Sequence, residues 1–147
     1  MRLTRQPDFD QFLKVLTRSG RPDHLPFYEH IASPGFIARR TGTDFDRMPA
    51  GGRDYWRIYV DFWLQMGYDC IPMEIPLRCL LGAGHGAVTE GSEAHVVIRT
   101  RKDYESYPWP EQSDPIDFSH FEVVASMLPD GAKIVGIQQW DSLCLEL

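Results

Sequence analysis

The chain has 147 residues, 43% of them hydrophobic, and a formal net charge of −6. That is enough apolar material for one domain with a buried core, and the acidic balance excludes the basic face of a nucleic-acid binder. No apolar run in the N-terminal MRLTRQPDFD resembles a signal peptide, and no uncharged stretch approaches the roughly 18 residues of a membrane span.

Cys70, Cys79 and Cys144 lack the spacing of a zinc pair or a redox dithiol, so the expected setting is the reducing cytoplasm, without disulfides. Early basic residues (Arg2, Arg5, Lys14, Arg18, Arg21) alternate with Asp8, Asp10 and Asp23, which reads as a solvated helix surface. The helix itself opens at Pro7-Asp8 with Asp8 as N-cap. Phe9, Phe12, Leu13 and Leu16 then follow i, i+3, i+4, i+7 spacing, and Gly20 suits its C-terminus.

After the turn Arg21-Pro22-Asp23, His24–Tyr28 reads as a short buried strand ending in Glu29-His30. Pro34 begins a second helix that runs through Ile37, Ala38 and Arg39-Arg40 to a stop at Gly42. Residues 43–52 are rich in turn formers. From Asp54, the spacing of Tyr55, Ile58, Tyr59, Phe62, Trp63 and Met66 predicts a strongly apolar helix to Gly67. YDCIPMEIPL follows as a second buried strand carrying Glu74 near its end.

LLGAGHGAVTEG reads as a loop and AHVVIR as a strand, together a hairpin excursion. DYESYPWPEQSDP is a Pro- and aromatic-rich loop. Asp117–Leu128 has a helical pattern, and Lys133–Ile137 is a third strand. Helix, glycine and short apolar strand in succession is the rhythm of α/β units with a parallel sheet. The expected fold class is therefore α/β: the N-terminal portion of a (β/α)8 TIM barrel, about three parallel strands with helices and a hairpin excursion. Eight strands at this rate need roughly 350 residues, against about 250 for a typical barrel. The apolar ending WDSLCLEL likewise predicts that 1–147 is a single, incomplete barrel domain.

Functional residues of parallel α/β folds cluster where strands end at their C-terminal side. Glu29, His30 and Glu74 stand at such positions, and a carboxylate beside an imidazole suits general acid–base work or a polar substrate. One strand-end acid is ordinary; two in register suggest a site. Arg39 and Arg40 are candidates for an anionic substrate, and Tyr107 and Trp109 of YPWP for a flat ligand. The packed-loop and solvated-helix alternatives stay open for all four. GAGHGAVTEG matches neither GK[ST] nor a GxGxxG turn, and His85 and His95 have no ligand spacing, so no metal site is assigned.

Taken together, RPDHLPFYEHI, DYWRIYVDFWLQMGYDCIPMEI, DYESYPWP and FEVVASMLPDGAKIVGI resemble the uroporphyrinogen decarboxylase superfamily, in particular a bacterial branch related to corrinoid methyltransferases. The likeness runs over residues 8–138 in consistent order. It implies a (β/α)8 barrel with its active site at the C-terminal mouth, and either porphyrinogen decarboxylation (a lyase reaction) or methyl transfer. The decarboxylases carry an arginine-containing segment after strand one, where this chain has Glu29-His30-Ile31-Ala32. A negative charge there repels propionates. Their strand-two aspartate corresponds to Glu74, one methylene longer. The zinc ligands of methyltransferase relatives fall outside this chain, so the implied cofactor is at most corrinoid-linked.

The resemblance thus implies a small-molecule or tetrapyrrole/corrinoid-linked substrate, with methyl transfer slightly favoured, no nucleic acid or membrane partner, and room for homo-oligomers. The competing reading is a truncated, inactive fragment or a self-associating interaction module, because three strands cannot close a barrel and leave an open edge.

Overall fold

A computed structural model of the chain describes residues 5–75, 99–107 and 117–138. It divides into two units, Met1–Met73 with Phe118–Ile137, and Glu74–Asp117 with Gln138–Leu147. The element order is α1 (Phe9–Thr17), α2 (Pro34–Thr41), a short 3-10 turn (Phe45–Arg47), α3 (Arg53–Gln65), β1 (Cys70–Ile75), α4 (Arg101–Ser106), α5 (Ser119–Ala125) and β2 (Lys133–Gln138). The two strands pair in parallel in an open α/β sheet. Their first link is the Lys133 amide donating to the Asp69 carbonyl at 3.3 Å, so both strands start at the same end.

Asp8 caps α1 by accepting from the Asp10 amide at 3.1 Å. The helix closes at Arg18, in the left-handed region at φ 55°, rather than at Gly20. Thr17 satisfies the last turn there, its hydroxyl donating to the Leu13 carbonyl at 2.7 Å. The expected apolar face is only half realised: Leu13 and Leu16 are exposed, and the most buried side chain of α1 is Gln11. Helix α2 begins at Pro34 and stops at Gly42, whose φ of 68° and amide bond to the Ala38 carbonyl make it the αL cap.

Helix α3 supplies the centre of the core. Val60, Phe62, Trp63 and Leu64 are buried, and they pack with Ile37 of α2, Ile71 of β1 and Val124 of α5. Phe45 belongs to this core although it lies in the expected loop, because the 3-10 turn stacks its ring 4.4 Å from Tyr55. In the second unit, residues 101–106 form a helix where a loop was expected. A capping box starts it: Thr100 Oγ1 accepts from the Asp103 amide at 3.2 Å, and Asp103 Oδ2 accepts from the Thr100 amide at 2.8 Å. The expected hairpin excursion lies outside the described residues except for its last one, Arg99.

His24–Tyr28 is not a strand. Leu25, Phe27 and Tyr28 are exposed, Leu25 by 71%, so the run is not buried either. The chemistry of β1 explains part of this. Pro72 has no N–H, and its carbonyl is already taken by the Tyr59 hydroxyl at 2.9 Å. A strand laid along that side of β1 loses the donor at Pro72 and must share its carbonyl with Tyr59. The expectation of three strands therefore becomes two among the described residues.

The turn into β2 explains why one position must be glycine. Gly131 has φ 84°, and a Cβ there would sit 2.1 Å from the Pro7 carbonyl oxygen. Replacing Gly131 by Ala is expected to destabilise the chain by more than about 2 kcal/mol, through backbone strain and the forced retreat of residues 7–8. Gly42→Ala, at similar φ but with no atom within 4 Å, should cost only about 1 kcal/mol. Denaturant midpoints of the two variants test the difference; equal losses would contradict the packing argument.

Candidate functional site

The most densely bonded side chain of the described residues is Asp69, immediately before β1. It is fully buried, and each carboxylate oxygen is engaged. Oδ1 accepts from Arg5 Nη1 and from the Asp8 amide at 2.8 Å. Oδ2 accepts from Arg5 Nη2 at 2.9 Å and lies 2.8 Å from His24 Nε2. Because an ionised carboxylate can only accept, Nε2 of His24 must carry its hydrogen. Arg5 Nη2 also donates to the Gly67 carbonyl at 2.6 Å, which fixes the turn between α3 and β1.

The network extends outward. Asp8 Oδ2 accepts from Gln11 Nε2 at 2.7 Å, and Gln11 Oε1 accepts from the Asp23 amide at 2.9 Å and from Lys14 Nζ at 3.0 Å. Gln6 and Phe9 then tie the same N-terminal segment to the turn before β2, on the Asp130 and Gly131 carbonyls, both at 2.9 Å. Burial by itself raises the Asp69 carboxyl. The hydrogen bonds from Arg5, the Asp8 amide and His24, with the charge of Arg5, outweigh it and hold the group below the ordinary carboxylate range.

An Asp–His pair can orient an imidazole for base catalysis. Here the carboxylate is already neutralised by a bidentate arginine and stands where the two strands begin. We read the cluster as structural. The sequence reading missed it and placed Arg5 on a solvated surface. The available signal was an aspartate directly before the apolar run CIPM, since a fully buried charge needs partners; which partners, 45 to 64 residues away, one sequence does not say.

The residues expected to form a site are placed as follows. Glu29 and His30 are joined locally, the His30 amide donating to Glu29 Oε1 at 2.8 Å. Glu29 is exposed and lines a cleft of about 310 Å³ between the Ile31–Ser33 segment, Phe36 of α2, the end of α3 and Tyr68. It is the only one of the expected site residues in that lining. Since His24–Tyr28 forms no strand, Glu29 and His30 do not stand at a strand exit, which corrects the expectation of two in-register strand-end acids. Glu74 is exposed and next to last in β1, at its C-terminal end. Arg39 and Arg40 are exposed on the last turn of α2, where their charge complements the helix dipole. Tyr107 is the half-buried C-cap of α4. Trp109, His85, His95, Cys79 and Cys144 lie outside the described residues.

Among the described residues no three His, Cys, Asp or Glu side chains converge as metal ligands, and no helix is long and apolar enough to cross a membrane. Burial, and then the Asp69 charge, push the Cys70 thiol up to about 11, so it carries a proton at neutral pH. No family model, curated protein or solved structure matches the chain.

Replacing Asp69 by Asn removes the counter-charge of the half-buried Arg5 and weakens the acceptor of His24 and the Asp8 amide, and should cost about 1–3 kcal/mol. The native chain should lose stability in acid in a defined window. With the folded-state pKa below the unfolded value near 3.9, the Asp69 contribution is complete above about pH 5. It fades as pH falls through the unfolded value toward the lower folded one. Chemical melts between pH 7 and pH 2 should show this acid limb in the native chain and a flatter one in Asp69→Asn; parallel limbs would contradict it.

Proposed function

We infer that the chain is the N-terminal portion of a uroporphyrinogen decarboxylase-like (β/α)8 barrel enzyme of the decarboxylase/methyltransferase type, with corrinoid-linked methyl transfer favoured over porphyrinogen decarboxylation. The observation that carries the reading is the polarity of β1. Its N-terminal end is locked by the Asp69 network, and its C-terminal end presents the exposed carboxylate of Glu74. Strands of α/β enzymes divide in this way, stability at one end and chemistry at the other. The motif resemblance over residues 8–138 supports the family, and the lack of a basic residue among the described lining of the Glu29 cleft favours methyl transfer over a propionate-bearing substrate.

Glu74 takes the acid–base role at the end of β1, and Glu29 with His30 is a separate polar group in its own cleft. The described residues do not fit zinc: Cys70 is buried and protonated, and no ligand set converges. The cleft is far too small for a corrin ring, so a corrinoid belongs on a partner protein. A second reading, a self-associating module, draws on the exposed Leu16, Leu25 and Ile31.

Glu74→Gln in the native protein should lower turnover about 100-fold, with an unchanged melt, in assays of methyl transfer from methylcobalamin and of porphyrinogen decarboxylation. Native turnover in this variant removes the carboxylate from the mechanism. A wild-type chain inactive in both assays yet dimeric by sedimentation supports the second reading instead.

A further inference from the structure

The aromatic wall of the Glu29 cleft is a feature that the proposed chemistry does not account for. Phe36, Phe62, Trp63 and Tyr68 follow one another around it, with ring centroids 5.7, 5.1 and 4.8 Å apart. Successive rings stand nearly perpendicular, at 88°, 73° and 73°. Phe36 and Tyr68 carry the exposed ring surface at the rim, with Phe62 and Trp63 buried behind them, so the wall is angled and is not a parallel slot for a flat ligand.

Glu29 carries the only formal charge among the described lining residues, which include no lysine, arginine or histidine, and the N-terminus of α2 at Ser33 adds only a partial positive charge. Its field reaches the wall: the Tyr68 hydroxyl is pushed up first by burial and then by the charge of Glu29. Aromatic faces are themselves negative and attract cations. A carboxylate or phosphate ligand would meet the repulsion of the full charge of Glu29 against only the partial charge of the helix end. The cleft volume of about 310 Å³ lies at the lower end of the range for small-molecule sites, about 300–1,000 Å³.

We propose that this cleft binds a small, rounded organic cation, a quaternary ammonium or an alkylated amine, with its charge facing Glu29 and its apolar surface against the Phe36–Tyr68 wall. The carboxylate supplies the counter-charge at the exposed rim, and the rings replace part of the weakly held hydration of an alkylated ammonium. Because the arrangement involves the first unit alone, the assignment does not rest on the barrel reading. Its test reads binding without turnover, so either can fail while the other stands.

The test is a titration of the whole chain with choline and with 3,3-dimethyl-1-butanol, its neutral carbon counterpart, followed by amide and indole chemical shifts. Choline should bind saturably, with shifts at Trp63 and Tyr68, and the neutral alcohol at least about fivefold more weakly. Glu29→Gln should weaken choline about fivefold and leave the alcohol unchanged. Glu29 is exposed, so that variant should melt like the native chain. Phe36→Leu, which removes one ring from the rim while keeping its bulk, should also weaken choline more than the alcohol. Equal affinity for the two ligands overturns the proposal in favour of a merely apolar cleft. Choline binding that is indifferent to both substitutions, or no saturable binding, overturns it as well.

Discussion

The buried carboxylate of Asp69 is the point from which the rest of the first unit is arranged. Isolated, a charge removed from water at the start of a strand would be strongly destabilising. Paired with the forked guanidinium of Arg5, an amide and an imidazole, it becomes a joint. That joint fixes the N-terminal segment, the His24 turn, the α3–β1 turn and, through its own carbonyl, the first bond of the parallel ladder. The apolar core behind it, from Phe45 through Trp63 to Val124, contributes most of the burial energy. Asp69 determines which segments meet where the strands begin.

One end of the sheet is closed by the polar joint and by the Gly131–Pro7 approach, and Glu74 is exposed near the opposite end of β1. Glu29 belongs to a different environment, a cleft walled by the end of α3 and by Tyr68, residues that lead into β1 rather than out of it. The two acids that look equivalent in sequence are therefore distinct in setting. One ends a strand. The other faces rings.

Much of the framework was legible in the sequence because it depends on local chemistry. Asp8, Pro34 and Gly42 mark helix ends by capping, and the apolar spacing from Tyr55 to Met66 specifies α3 over nearly its full length. β1 and β2 follow from short apolar runs after glycine-containing turns. The misread elements depend on partners distant in sequence. LPFY has the composition of a buried strand, yet β1 offers it no donor at Pro72 and a carbonyl shared with Tyr59. Leu13 and Leu16 have helical spacing, yet the α1 face turned inward is the one that Gln11 ties to Asp8 and Asp23. DYES was read through its aromatic and proline neighbours as the start of a loop, although Thr100 and Asp103 form a complete capping box. The polar joint could not be assembled from pattern alone, because Arg5, His24 and Asp69 carry no mutual spacing signal.

The most direct measurement is native-state hydrogen exchange across the joint. If Asp69 couples the N-terminal segment to both strands, the amides of Asp8, Phe9 and Lys133 should open with a common free energy, close to that of the β1 amides of Ile71 and Met73. Low concentrations of denaturant should lower all of them together. Exchange of Asp8 and Phe9 by independent fraying, while Lys133 and β1 remain protected, would contradict a single joint.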